Sequence, residues 1–517
     1  MSALLGICIS IAAIATLLIL NLKPRRAKDL PPGPAPTSWL VGNRNQVPQN
    51  KPWRWFQSLN NQYGPVVYLQ MGRTPTVVIG TAQAAWDILE KKSPVTSSRP
   101  RFIMGQEILS NNMRGLMSGN DPFWRRWRRV LHVSFMQKAS DTYKPIQNLE
   151  SKQLMFELTK SPAKYREHLE RYATSVAVVV TYGRRVHDIY NDEVVRLNRE
   201  STDFLTSINI PGKYLVESMP ALLYLPNFLT PWRTAAMKQR AYDIEYLTRL
   251  VQEVKTKMAN GRATPSFCRQ LIEEREKNEM GELEIAYACG TPFGAGAETT
   301  SGTLSSFMLA CAAFGPSFIP KAQKELDAVV GPDRMPIFDD FDDLPFVRAV
   351  VGETLRWRPV AVLGGTPHAS TEDFVYQGMF IPKGSTIIAN LWGIHLNPAD
   401  FPDPHRFDPE RFMSKRDYPG PWQHSSFGYG RRVCPGQYLA SNSLYLNIAR
   451  ILWGFDLCKA RDEKGNEIDV DTFAYTDGFN SVPQPFPISI TPRSPGRLAI
   501  IERDNEAAQE EMKAYDS

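Results

Sequence analysis

Apolar positions recur at helical spacing over residues 53–63 and 82–92, and over most of 142–329 with short breaks. Between the first two segments, β-branched residues crowd 65–71 and 76–79 on either side of Gly72-Arg73-Thr74-Pro75, the pattern of a β-hairpin. Strand character returns at 374–388. The order predicts a mainly α body with small β-sheets, an α+β arrangement. It is not the βαβ alternation of a doubly wound nucleotide-binding fold. Ahead of this body, residues 3–20 run without a charge, roughly 27 Å as a helix and enough for a thin bilayer such as the endoplasmic reticulum. Lys23, Arg25, Arg26 and Lys28 follow the run and no Lys or Arg precedes it, which places the rest of the chain in the cytosol. A cleaved signal peptide would carry its charge on the other side. The pattern therefore predicts a transmembrane anchor over 1–22 and a basic, proline-rich hinge over 23–50, centred on Pro31-Pro32-Gly33-Pro34. One large body follows over 51–502, and the charged tail 503–517 is expected to be disordered.

Composition adds three constraints. Of 517 residues, 43% are hydrophobic and 22% charged, a balance that can bury a large core. The excess of 60 basic over 54 acidic residues is too mild to argue for nucleic acid. The cysteines (Cys8, Cys268, Cys289, Cys311, Cys434, Cys458) are scattered without metal or disulfide spacing, which suits a reducing compartment.

Candidate chemistry concentrates at Phe427-Gly428-Tyr429-Gly430-Arg431-Arg432-Val433-Cys434-Pro435-Gly436. Glycines around a cysteine let its sulfur approach a large flat cofactor. Thiolate sulfur is one of few protein groups that hold haem iron and favour O–O cleavage. Arg432 suits a propionate, since guanidinium matches carboxylate geometry. Gly436 falls where the apolar helix 437–452 begins, whose amides and dipole favour a thiolate. The competing reading is a buried structural cysteine in a glycine-rich turn.

The segment resembles the signature Phe-x-x-Gly-x-Arg-x-Cys-x-Gly of the cytochrome P-450 family, with Phe427, Gly430, Arg432, Cys434 and Gly436 in place. Further segments resemble that family in order. Trp124 and Arg128, four apart on a helix capped at Asp121-Pro122, resemble a Trp-x-x-x-Arg pair that reaches haem propionates. Arg114 and His368 resemble additional propionate contacts. Arg125, Arg126 and Arg129 would then face outward as a basic surface for an acidic electron donor. Phe293-Gly294-Ala295-Gly296-Ala297-Glu298-Thr299-Thr300 resembles the oxygen-binding groove, in which Glu298 and Thr299 relay protons and Gly296 leaves room for a small molecule. Packing of a helix through small residues is the alternative there. Glu353 and Arg356 resemble Glu-x-x-Arg, and Arg411 in Pro409-Glu410-Arg411-Phe412 would close a structural charge network with them.

The resemblance implies a cytochrome P-450 fold preceded by one transmembrane helix, with Cys434 as axial ligand of haem b. It implies NADPH electrons arriving through cytochrome P-450 reductase, with cytochrome b5 as a further donor. Dioxygen and a lipophilic small molecule would be the substrates, with Phe293, Ala297, Leu363 and Phe479 in the substrate pocket. Segments 102–109 and 214–229 would join them, the latter dipping into the membrane. Segments 211–215 and 475–479 resemble fungal microsomal members that oxidise secondary metabolites. Two other functions compete. A haem-thiolate isomerase or dehydratase needs no reductase, and members of that kind usually lack an acid–alcohol pair like Glu298-Thr299. A non-enzymatic membrane haem protein explains Cys434 and the anchor but not Glu298, Thr299 or Gly296.

Overall fold

The computed structural model describes residues 29–39, 41–208, 213–413 and 425–516. The predicted anchor lies outside these residues, as do Pro211 and Gly212.

Among the described residues, the α-helices of seven or more residues are α1 (Pro52–Tyr63), α2 (Pro122–Phe135), α3 (Lys144–Lys160), α4 (Tyr165–Tyr182), α5 (Glu193–Ile208) and α6 (Pro231–Ala259). They continue with α7 (Phe267–Glu273), α8 (Glu282–Val329), α9 (Pro345–Trp357), α10 (Gln437–Gly454) and α11 (Pro495–Met512). Helix α8 is the axis of the molecule. Its 48 residues run unbroken through Pro292, Pro316 and Pro320, with α4, α6, α9 and α10 packed along it. It is apolar enough to cross a membrane, yet 78% of its most apolar window is buried in protein, so it is a core helix.

The predicted hairpin forms β1 (Val66–Met71) and β2 (Thr74–Ile79). Its turn is shorter than the pattern suggested, because Gly72 takes φ +62 and lets pairing resume at Thr74. The stretch 374–388 divides into β4 (Phe374–Tyr376), β5 (Met379–Ile381) and β6 (Thr386–Ala389), turned at Gln377-Gly378 with both φ values positive. With β3 (His368–Ala369), the main sheet has the order β1-β2-β6-β3. Strands β7 (Phe455–Lys459) and β8 (Ile488–Pro492) pair separately. The predicted helix 82–92 is broken, an α-turn at Ala82–Ala85 passing into a π-helical turn at Trp86–Lys91.

One expectation fails, at the C-terminus. The proline-rich segment, over its described part, is held against the body: the Tyr68 amide donates to Pro32 O at 2.9 Å and the Phe380 amide donates to Asp29 O at 2.6 Å. A Cβ at Gly33 would come within 2.1 Å of the Tyr68 carbonyl, so only glycine lets this strap lie on β1. The tail expected to be disordered is largely the end of α11. Its charges obscure a single apolar stripe, Ile501, Ala508 and Met512, all buried in the main core beside α3. Burying a large aliphatic side chain contributes about 1.5–3 kcal/mol, which outweighs the polarity of the rest.

Candidate functional site

The Cys434 loop is fixed by its neighbours before any ligand is considered. Gly430 has φ +56, and a Cβ there would meet Leu89 O and Ser93 Oγ, each at 2.5 Å. The Arg431 amide donates to Ser93 Oγ at 2.8 Å, and the Cys434 amide closes the loop on Phe427 O at 2.7 Å. Gly436 is the N-cap of α10. Burial pushes the Cys434 thiol up from its ordinary value, while the Gly436 amide and the Arg128 charge pull the other way. A half-buried sulfur facing a helix start and a guanidinium is suited to being a thiolate when something cationic binds it.

Around the sulfur stands a group of cations. Asp121 caps α2 by accepting from the Trp124 amide at 2.6 Å, which turns Trp124 and Arg128 inward together. The Arg432 guanidinium stacks on the Trp124 ring at 4.0 Å and donates to Ser97 O at 2.6 Å and Ser118 O at 2.7 Å. Burial and the charges of Arg99 and Arg128 push Arg432 down to about 8. Burial and Arg128 push Arg99 down to about 9. Guanidinium keeps its proton in proteins, so these directions reflect first the removal of the cations from water and second their crowding on one another. The one acid that opposes it at Arg432 is Asp121, the weakest of the influences there. The Trp124 indole N–H is buried with no acceptor among the described residues. Clustered guanidinium groups and an orphaned donor beside a half-buried thiol fit a ligand that carries a metal centre and two carboxylates, as haem does.

The predicted propionate contacts divide. Trp124, Arg128 and Arg432 are together. His368 joins them, buried, with Nδ1–H donating to Thr96 O at 3.0 Å. Burial, Arg99 and Arg432 hold it far below its ordinary value, so it is neutral and its free nitrogen accepts; as a donor it must first take up a proton. Arg114 stands apart from them: it donates to buried Asp243 of α6 at 3.0 Å and faces the Tyr287 ring. Arg99 takes its place, anchored on the carbonyls of Pro367 at 3.0 Å and Leu116 at 3.1 Å. No sequence pattern singled it out; in Ser98-Arg99-Pro100 it reads only as extended chain before a proline. Arg126 also departs from expectation, pairing with Glu284 at 2.9 Å, which leaves Arg125 and Arg129 as the exposed cations of α2.

On α8, Thr299 Oγ1 donates back to Ala295 O at 2.7 Å. Ser301 and Thr303 make the same bond to Ala297 O and Thr299 O, a pattern that loosens a helix. Glu298 accepts from Asn480 Nδ2 at 2.6 Å. Burial, Asp203 and Glu170 raise its carboxyl above the ordinary range, and the Asn480 bond opposes them. Gly296 does not supply the expected room: a Cβ there would sit 3.3 Å from the Ala177 Cβ of α4, so glycine serves helix packing.

The structural network assembles as expected. Glu353 accepts a fork from Arg356, Nε at 2.6 Å and an NH2 at 2.7 Å, and Arg411 Nε lies 3.5 Å from it. Arg356 also donates to His395 O at 2.8 Å and Pro404 O at 2.9 Å. From this helix, Leu355 O accepts from Ser426 Oγ at 2.8 Å, which ties the network to the start of the Cys434 loop.

The residues predicted to line a pocket do not converge. Phe293 and Ala297 border a cavity of about 610 Å³ between α4, α5 and α8, into which Glu298 also points. Cys434, Arg128, Arg99 and Arg432 are not among its walls. Leu363 packs against the Val362–Trp392 cluster, and Phe479 is 42% exposed on a loop.

A mainly helical body of this topology, with a cysteine loop set in a cationic cradle, defines a haem-thiolate protein, and residues 31–479 match the family model of Cytochrome P450. The chain belongs to that family, whose members are oxygen-incorporating oxidoreductases with a haem-thiolate cofactor. It is 38% identical over 502 residues to cytochrome P450 monooxygenase 113 of Postia placenta, covering 96% of this chain and 98% of that protein. It is 36% identical to cytochrome P450 monooxygenase fogE of Aspergillus ruber, covering 94% and 91%. A zebra fish cytochrome P450 solved with abiraterone shares the fold at TM-score 0.67 and 24% identity, over 86% of this chain and all of that one.

Proposed function

We propose that this protein is a membrane-anchored monooxygenase that binds haem b through Cys434 and oxidises a lipophilic small molecule with NADPH-derived electrons. The observation that carries the proposal is the acid-poor cluster of Arg99, Arg128 and Arg432 beside the half-buried Cys434 thiol. Haem, when bound, supplies dioxygen activation. Cys434 would hold the iron, Arg99, Arg128, Arg432 and the Trp124 N–H would hold the propionates, and a proton taken up by His368 would be stabilised by the same carboxylates. Thr299 offers its hydroxyl beside Ala295, where the helix carbonyl keeps it oriented. Glu298, a carboxyl with a raised pKa in a cavity, can take a proton from water and pass it on.

Membrane attachment draws support from an apolar surface around Leu215, Tyr224, Phe228 and Leu229, of which Tyr224 is 90% and Phe228 81% exposed. With the N-terminal segment it gives two contacts to the cytosolic face of the endoplasmic reticulum. Exposed Arg125 and Arg129 favour an acidic electron donor, NADPH–cytochrome P-450 reductase first and cytochrome b5 second. The relatives are fungal monooxygenases, and the substrate class proposed for this chain, a secondary metabolite, rests on the likeness of segments 211–215 and 475–479 to fungal microsomal members. The test is reduction under carbon monoxide, expected to give the red-shifted Soret band of axial sulfur, followed by NADPH oxidation with and without reductase. Turnover that needs no reductase would remove the monooxygenase assignment and favour an isomerase or dehydratase.

A further inference from the structure

The loop 475–483 lies along one row of α8, and its three attachments are each four residues apart. Tyr475 Oη donates to Ser306 Oγ at 3.1 Å, in the buried core. Val482 sits over Gly302, where a Cβ would come within 2.5 Å of its Cγ1. Asn480 Nδ2 donates to Glu298 Oε2 at 2.6 Å. The loop is rigid in itself: Thr476 N donates to Val482 O at 2.9 Å and Val482 N to Thr476 Oγ1 at 3.0 Å. Ser481 N adds a bond to Val360 O at 2.9 Å. Tyr475 and Gly302 set the register, and that register delivers an amide to the one acid of the loosened segment of α8.

We propose that Asn480 is a positioning residue for Glu298, holding its carboxylate in the orientation from which it takes protons in the cavity and passes them along α8. This rests on the reading of Glu298 as a proton relay. The other charged groups around the acid cannot do the same. From α4, Glu170 is paired with Arg199 of α5 at 2.6 Å, and Glu167 carries the same sign as Glu298. Asp203 of α5 repels the carboxylate, Arg166 donates to Pro483 O at 3.3 Å, and Lys164 stands at the cavity wall. Asn480 is the donor in place, and its loop also carries Phe479, so whatever moves the loop moves the acid.

The test is an infrared titration of the Glu298 carboxyl in the full-length holoprotein, taken as the difference from Glu298→Gln. Asn480→Ala should raise the midpoint by about one pH unit, a roughly tenfold change in acid dissociation, and Asn480→Gln should restore part of it. In parallel, peroxide released per NADPH is measured with reductase and 7-ethoxycoumarin as probe. Asn480→Ala should raise that ratio in the wild-type background and leave it unchanged in Glu298→Gln. An unmoved midpoint, or an equal rise in both backgrounds, would overturn the proposal and leave the relay standing. If Glu298→Gln alone leaves the peroxide ratio unchanged, the relay falls and the proposal with it.

Discussion

Two groups of arginines lie inside this protein, and they differ in their partners. At Glu353 two guanidinium groups share one deeply buried carboxylate: Arg356 forks onto it, Arg411 approaches it, and the spare donors of Arg356 reach backbone carbonyls. Beside Cys434, the half-buried Arg99, Arg128 and Arg432 have no carboxylate paired with them among the described residues; removal from water lowers all three, Arg128 adds to it at Arg99, and Arg99 and Arg128 add to it at Arg432, with Asp121 the weakest influence there. Burying charge without a partner is costly, and a fold keeps such a site where a ligand completes it. The group that shares a carboxylate holds the chain together; the group without one holds something else.

That contrast can be broken most completely at the sulfur. Cys434→Ser should abolish the carbon-monoxide band of thiolate-ligated haem while leaving the far-UV circular dichroism unchanged. Next in size, Glu353→Ala should strand Arg356 and lower the unfolding free energy by about 3–5 kcal/mol, read by denaturant titration. The mirror experiment is Arg128→Met, which should leave the haem-free protein as stable as the parent or more so, while haem loading falls about tenfold, a loss of roughly 1.4 kcal/mol. Should Arg128→Met destabilise the haem-free protein as Glu353→Ala does, the distinction between the two groups is void. Thr299→Ala should raise peroxide release severalfold at unchanged haem content. The smallest effect belongs to an intermediate case, Asp327, 43% exposed and paired with Arg493 and Arg497 at 2.8 and 2.6 Å. Those partners hold its carboxyl below the ordinary range. Its stabilisation is therefore present above the unfolded value near 3.9 and lost as pH falls through the folded one, about 1 kcal/mol or less at this exposure. Asp327→Asn should remove that acid-side slope.

The residues legible in the sequence are those whose chemistry is local. Cys434, Arg432 and Gly436 share one loop; Trp124 and Arg128 share one helix face; Glu353 and Arg356 are neighbours three apart. Residues whose partners come from distant segments were not legible. Arg99 becomes a ligand-facing group only because residues 366–368 and the Cys434 loop fold over it. Arg114 looked the same in sequence and went to Asp243, a partner 129 residues away. Gly296 fitted two purposes, and only the approach of Ala177 decides between them. Charge misled at the C-terminus, where one buried stripe was hidden among acids, Arg503 and Lys513.

That C-terminal segment bears on how the molecule is made. Arg185, at the exit of α4, donates its amide to Tyr515 O at 3.2 Å and its guanidinium lies 3.4 Å from Asp516. Residues emerging after nearly everything they cover thus close the floor of α3 and α4. A nascent chain halted at residue 490 would leave Leu154 and Met155 wet, a target for chaperones, whereas one extended past 516 could shut.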